Sequence, residues 1–257
     1  MKPVGIFQHT EVGAPGSIPE LLAELGVPTR VLRILDGAAV PQDPREFSGL
    51  VFMGGYMSVH DELPWIAQEL ALIRRAVALR IPVIGHCLGS QLLATALGAD
   101  VTANALPEIG WSQLRTAPGA LAQEWFGQPA GQPLLTFQWH GDTFAIPPGA
   151  ERIASSAHCA NQAFVADGRH LAIQSHLEMT PELVVLSVAR NGAQMERQQA
   201  AGNPACSPRA EVLDDLGART ETMRASLRRL YQRWVQGLEG LTLPAAPESS
   251  APSAPRR

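Results

Sequence analysis

The chain has 257 residues, of which 46% are hydrophobic and 17% charged, so it can bury a sizeable core. Its formal net charge is −4, and no Lys/Arg run stands out in the first 200 residues, which argues against a nucleic acid partner. No apolar run reaches the roughly 20 residues of a membrane-spanning helix, and the apolar N-terminal stretch is too short for a signal peptide. The irregularly spaced Cys87, Cys159 and Cys206 indicate neither a disulfide framework nor a metal site, and we expect a reducing cytoplasm.

The first hundred residues alternate predicted strands with predicted helices. Strands are predicted at residues 4–7, 29–35 and 49–53, and a fourth begins at Ile81 and runs into a glycine-flanked turn. Helices are predicted at residues 17–25, 65–79 and 88–97. This alternation favours a parallel sheet that is covered by helices on both faces.

After Gly98 the pattern changes to short strand-like segments separated by turn residues. They lie near residues 111–114, 134–139, 152–155, 162–165 and 171–175. We expect a largely antiparallel extension that returns to the main sheet. A helix at residues 181–189 would then complete a domain that spans residues 1–190.

The remainder of the chain divides into three predicted segments. Residues 191–208 are polar and rich in Ala, Gln and Gly, which predicts a linker or a lid. Residues 209–240 show helical periodicity with a break at Gly217, and we expect them to pack on the core or on a second subunit. Residues 241–257 are rich in Pro, Ala and Ser and are predicted to be disordered.

One cysteine lies where a fold can create a nucleophile. Cys87 stands between Gly85 and Gly89, at the tip of the turn that leads from the fourth strand into a helix. Backbone N–H groups and the helix dipole favour a thiolate at such a position. Taken alone, the segment is equally consistent with a reactive thiol and with an inert buried cysteine.

Two other features offer partners for such a thiol. His176 and Glu178 are two positions apart, so on a strand they would share a face, and the carboxylate would hold the imidazole. Gly54 and Gly55 end a predicted parallel strand, where open α/β sheets place their sites. One of their N–H groups, with that of Leu88, would form an oxyanion hole.

These features together resemble class I glutamine amidotransferases. The residues that carry the resemblance are GHCLGSQ at 85–91, WHGD at 139–142 and QSHLE at 174–178. The resemblance extends over residues 4–189. The chain resembles most the subgroup of stand-alone proteins similar to the glutaminase domain of GMP synthase. The segments that indicate this subgroup are EIGW at 108–111, ANQAF at 160–164 and MSVHDE at 57–62. The resemblance implies a flavodoxin-like three-layer α/β/α fold with a mostly parallel central sheet, a nucleophile elbow and a C-terminal helical extension.

The resemblance also implies catalytic roles. Cys87 would attack the side-chain amide carbon of glutamine and form a glutamyl thioester. His176 would take the thiol proton and pass it to the departing ammonia, while Glu178 would orient the imidazole. The N–H groups of Gly55 and Leu88 would hold the oxyanion.

Binding roles follow in the same way. Gly54 and Gln91, with the backbone around Trp139 and His140, would contact the bound glutamine. The resemblance implies no metal and no cofactor. The ammonia would pass to a synthetase partner, since the chain has no signature of an ATP site, and a homo-oligomer is the other association that we consider.

The chain departs from the family pattern at two positions near the site. Tyr56 follows Gly54-Gly55 where the family usually has Pro, and its ring could change how the loop closes over a substrate. His86 precedes the nucleophile where an apolar residue is usual, and we expect it to pack or to support the site. We expect Cys159 to be a small buried residue.

Two alternatives to glutamine hydrolysis stay open from the sequence. In the first, the substrate is a γ-glutamyl peptide or conjugate, and water is the only acceptor. In the second, the chain is a regulatory or scaffold subunit that has retained the fold. Tyr56 and the long C-terminal helix favour the second alternative. The presence of Cys87, His176 and Glu178, the catalytic triad that the resemblance implies, argues against it.

Overall fold

A computed structural model of the chain describes residues 1–240. Within them the chain forms nine strands and seven α-helices. The strands are β1 (Val4–Gln8), β2 (Thr29–Arg33), β3 (Gly49–Phe52), β4 (Val83–His86), β5 (Val101–Thr116), β6 (Pro133–Phe144), β7 (Glu151–Ser155), β8 (Ala163–Ala166) and β9 (His170–Ile173). The helices are α1 (Ile18–Glu24), α2 (Pro64–Ala78), α3 (Leu88–Ala96), α4 (Ala120–Phe126), α5 (Pro181–Ala200), α6 (Arg209–Val212) and α7 (Leu216–Trp234).

All nine strands join one sheet with the order β2-β1-β3-β4-β9-β8-β7-β5-β6. The pairs from β2 to β9 are parallel, and the pairs from β9 to β6 are antiparallel. The α/β fold and the antiparallel extension predicted from the sequence are therefore confirmed. The parallel strands β3, β4 and β9 are neighbours, so the segments that follow them meet at one edge of the sheet.

The sheet has an apolar core on each face because successive side chains of a strand point to opposite sides. Phe7 and Phe52 belong to the core beneath α2 and α3. The core beneath α1, α5 and α7 contains Ile6 and Val51, which precede these two residues in the sequence, and Ile84, which pairs with Val51 in the sheet. None of the helices within residues 1–240 is both long and apolar enough to cross a membrane.

The predicted end of the core domain at residue 190 falls inside a helix. Helix α5 continues to Ala200, so the prediction of a linker or lid is wrong for residues 191–200. The helix persists through this polar stretch because Gly192 and Met195 stay buried and keep one side of it against the core. The Thr180 side chain caps its N-terminus.

The C-terminal extension is helical, as predicted, but its break lies elsewhere. Helix α6 ends at Val212, and α7 begins after Asp215, whose φ is 47°, so Gly217 lies inside α7. The apolar side of α7 packs on this chain's own core. Helix α4, with Trp125 buried, was not predicted. The predicted disordered segment 241–257 lies outside the described residues.

Candidate active site

Cys87 lies at a sharp turn between β4 and α3. Its φ of 48° and ψ of −110° are unusual for a residue other than glycine. The turn depends on both flanking glycines: a Cβ on Gly85 would lie 2.2 Å from the Gly89 carbonyl oxygen, and one on Gly89 would lie 2.0 Å from the Phe52 carbonyl oxygen. The Gly-x-Cys-x-Gly pattern thus produces the predicted elbow, at the carboxyl end of β4.

His176 connects Cys87 to Glu178. Its Nδ1 lies 2.6 Å from Glu178 Oε1, and its ring lines the same small cavity as Cys87. The other oxygen of Glu178 accepts the Leu177 N–H at 2.9 Å. The expectation that His176 and Glu178 share a strand face is wrong, because β9 ends at Ile173. His176 is held instead by two backbone hydrogen bonds to Phe137 of β6.

The His176–Glu178 pair is ionised despite its burial. Burial by itself lowers the pKa of His176, but the charge and hydrogen bond of Glu178, together with the neighbouring Cys87, raise it well above 6.5. Burial also raises the pKa of Glu178, yet the charge and hydrogen bond of His176 lower it to about 2. Such an imidazolium can deliver a proton to a leaving group beside Cys87.

Gly54 and Gly55 follow β3 and lie against the other two segments. A Cβ on Gly54 would lie 2.8 Å from Cε1 of His176, and one on Gly55 would lie 2.9 Å from Cδ2 of Leu88. No hydrogen-bond acceptor within residues 1–240 takes the backbone N–H of Gly55 or Leu88. Two unused donors therefore lie beside Cys87, in the places predicted for an oxyanion hole.

A cleft of about 360 Å³ opens on one side of Cys87. Gln91, Trp139 and His140 line it together with Gln194 of α5. The Trp139 indole N–H donates to Gln194 Oε1 at 2.8 Å, and the Trp139 carbonyl oxygen is 3.9 Å from Cys87 Sγ. Gln91 and the segment around Trp139 and His140, for which substrate contacts are predicted, thus lie beside Cys87.

A second cavity, of about 40 Å³, lies between Cys87 and His176. Tyr56 and the α5 residues Ser187 and Asn191 are among the residues that line it. Sequence reasoning missed this contribution of α5 because it ended the helix at residue 189. Polar residues on the buried side of a longer amphipathic helix were the available signal.

Residues 14–193, about 70% of the chain, match the sequence model of a family described as "Glutamine amidotransferase class-I". The chain belongs to the class-I glutamine amidotransferase family. Its fold is that of other amidotransferases. A crystal structure of a glutamine amidotransferase from Methylobacillus flagellatus is 41% identical, with a TM-score of 0.85 over 93% of this chain and 96% of that one.

Two further proteins are similar to this chain in sequence. The glutamine amidotransferase-like protein YfeJ of Salmonella typhimurium is 32% identical over 68% of this chain and 75% of its own length. The glutamine-hydrolyzing GMP synthase of Leifsonia xyli subsp. xyli is 33% identical over 51% of this chain. That match covers only 26% of the synthase.

Behind the cleft of this amidotransferase lies a buried network that joins β5 to β6. His140 Nε2 is 3.0 Å from Glu108 Oε2, and the Ser156 hydroxyl donates to Glu108 Oε1 at 2.7 Å. Glu108, His140 and Cys159 are the one group within residues 1–240 whose potential metal-ligand atoms lie within 4.8 Å of one another. Burial raises the pKa of the Cys159 thiol, which opposes metal binding. The network's visible role is to hold the backbone at Trp139 and His140.

Proposed function

We propose that this chain hydrolyses the side-chain amide of glutamine to glutamate and ammonia. The observation that carries the proposal is the arrangement of Cys87 on a strained elbow, next to an imidazole whose Nδ1 is 2.6 Å from the Glu178 carboxylate. A nucleophile, a base and a group that orients the base are the parts of a covalent acyl-transfer site.

In the first half of the proposed reaction, Cys87 has given its proton to His176, and its thiolate sulfur attacks the amide carbon. The N–H groups of Gly55 and Leu88 hold the negative oxygen of the tetrahedral intermediate, and each such donor is worth about 10²–10³ in rate. The intermediate collapses as His176 returns the proton to the nitrogen. The C–N bond breaks, ammonia leaves, and a glutamyl thioester remains on Cys87.

In the second half, water replaces ammonia at the same carbon. His176 removes a proton from the water, and the resulting tetrahedral intermediate expels the Cys87 sulfur. The sulfur leaves as a thiolate while the proton stays on His176, glutamate departs, and the free enzyme is restored. Glu178 stabilises the imidazolium in both halves.

The size of the two cavities favours glutamine over larger γ-glutamyl amides. The leaving group must lie near His176, where Tyr56 and Asn191 line the smaller cavity of about 40 Å³. The cleft of about 360 Å³ on the other side suits an amino acid. A γ-glutamyl peptide would require Tyr56 or Asn191 to move. Because the Tyr56 side chain is 59% exposed, γ-glutamyl hydrolysis is the second candidate function.

The fate of the ammonia is part of the proposal. The match to the glutamine-hydrolyzing GMP synthase covers only 26% of that protein. We propose a separate synthetase partner that takes up the ammonia, or a homo-oligomer of this chain acting as a glutaminase. The three free cysteines favour a reducing compartment such as the cytoplasm.

Steady-state assays of free glutamine and of γ-glutamyl dipeptides test the proposal. We expect glutamine to be the better substrate by kcat/KM. Cys87→Ala should abolish turnover, and His176→Ala should lower kcat by about 10³ or more. Ammonia and glutamate should appear in equal amounts.

The outcomes separate the three readings of the site. Dipeptides that turn over much faster than glutamine would replace the amidotransferase activity with γ-glutamyl hydrolysis. Failure to hydrolyse any of these amides, together with no labelling of Cys87 by an electrophilic glutamine analogue, would favour the scaffold reading. Unchanged turnover in His176→Ala would refute the triad.

A further inference from the structure

Helix α7 contacts His86, the residue that precedes Cys87. The Tyr231 hydroxyl oxygen lies 3.0 Å from Nε2 of His86, and Nδ1 of His86 lies 3.5 Å from Oε2 of Glu178. The second oxygen of the same carboxylate binds His176. A continuous series of polar side chains therefore runs from α7 to the imidazole beside Cys87.

The position of His86 follows from the pleat of β4. Gly85 faces α3, where only a glycine fits, so His86 must point to the other face of the sheet. That face is covered by α7, and the His86 and Tyr231 rings lie nearly parallel, with an interplanar angle of 13°. His86, Tyr231 and Glu178 are all excluded from solvent.

The location of one proton decides what His86 can do. Burial lowers the pKa of His86, so the ring is neutral and carries a single N–H. Burial also raises the pKa of Tyr231, so its hydroxyl keeps its proton. A proton on Nε2 would leave the Nδ1 lone pair facing the Glu178 carboxylate. With Tyr231 donating to Nε2, the proton is on Nδ1, which lies 3.5 Å from Oε2 without forming a hydrogen bond and so acts on the carboxylate through its partial positive charge.

We infer that His86 and Tyr231 are positioning residues for the triad: Tyr231 fixes the His86 proton on Nδ1, and that N–H holds Glu178 in place for His176. The inference rests on the proposed catalytic role of that triad. It makes α7 a part of the active site rather than a separate extension. It also explains a histidine at the position before the nucleophile, where an apolar residue is usual in the family.

The test compares kcat and KM for glutamine in four variants. Tyr231→Phe keeps the buried ring and removes only the donor, and we expect kcat to fall about tenfold with KM nearly unchanged. His86→Leu should lose about 10- to 100-fold in kcat, while His86→Asn, which retains a donor near the place of Nδ1, should recover part of it. Met223→Ala is the matched control, since Met223 is buried on α7 about 12 Å along the helix from Tyr231.

A purely structural role of α7 predicts the opposite pattern. Met223→Ala should then lower kcat in step with its loss of thermal stability, and Tyr231→Phe should leave kcat at the wild-type value. Either result would overturn the inference. So would equal kcat values for His86→Asn and His86→Leu.

A second readout does not depend on glutamine turnover. The rate at which iodoacetamide alkylates Cys87, followed on the Cys87 peptide by mass spectrometry, reports how well His176 and Glu178 support the thiolate. If the wild type does not hydrolyse glutamine, the proposed function fails, but this rate should still be several-fold lower in Tyr231→Phe. An unchanged alkylation rate in that case would refute the positioning role.

Discussion

Single residues at the elbow show how closely the site is packed. Gly54 has no side chain because the His176 ring occupies the space, and Gly85 has none because the first turn of α3 does. Gly16, with φ at 53°, lies so near the carbonyl of Glu178 that a Cβ would be 2.0 Å from that oxygen. Each of these glycines lets the backbone of one segment support the triad from close range.

Gly54→Ala should therefore damage catalysis more than folding. The new methyl group would lie 2.8 Å from Cε1 of His176 and would push the imidazole away from Cys87. We expect kcat/KM for glutamine to fall about 100-fold, since a displacement near 1 Å at a reacting group has this order of effect. Steady-state kinetics and a thermal melt would measure both quantities.

Gly217→Ala is the control for that substitution. Gly217 lies in α7, where an added methyl group would point into open space, so the variant should keep wild-type kinetics. Wild-type kinetics in Gly54→Ala as well would contradict the packing of His176 against this loop.

At the scale of elements, α7 is held to the core in two ways of unequal strength. Leu227, Leu230 and Trp234 are buried, and the Trp234 ring fills the space that a side chain on Gly49 would need. The arginines on its other side pair with acidic residues of α1 and α4, at positions partly exposed to water. Burial of the apolar side chains should supply most of the free energy that holds α7 to the core, because ion pairs open to water contribute little.

Trp234→Ala should lower the free energy of unfolding by about 3–5 kcal/mol, the usual cost of truncating a buried large aromatic residue. Arg228→Ala, which removes an ion pair with Glu24, should cost at most about 1 kcal/mol. Urea denaturation of both variants would measure the difference. Comparable losses would mean that the ion pairs, and not the apolar side of α7, hold the helix.

At the scale of the whole molecule, one buried histidine links stability to pH. His170 is fully buried at the start of β9, and neither of its ring nitrogens has a hydrogen-bond partner within residues 1–240. Burial lowers its pKa to about 4, from 6.5. Between these values the unfolded chain binds a proton that the folded chain does not, so stability falls as the pH falls through this range.

His170→Leu should remove the contribution of His170 to this pH dependence. Between pH 7 and pH 5 the contribution of His170 amounts to about 2 kcal/mol, so the variant should lose about that much less stability than the wild type over this interval. Denaturant unfolding at the two pH values would measure it. Glu178, with a pKa of about 2, contributes its own loss mainly below pH 4.5, outside the interval. Equal losses in the two proteins would refute the assignment.

The elements that could be predicted are those with a local or periodic signal. The alternating strands and helices up to Gly98 and the apolar stripe of α7 are visible in the sequence, since burial of one face imposes a period of 2 or 3.6 residues. The sequence predicts too early an end for α5, because the polar residues 191–200 are typical of a linker. There, packing against the core maintained a helix that composition did not indicate.

The sequence by itself determined the elbow at Cys87 and the proximity of His176 to Glu178, because a glycine-flanked turn and a His-x-Glu spacing act over a few residues. Only the tertiary structure decided how the triad is supported. His176 is held by Phe137 beyond the end of β9, and His86 meets Tyr231 across 145 positions of the chain. Such contacts have no local pattern, since they arise only when the sheet and α7 pack together.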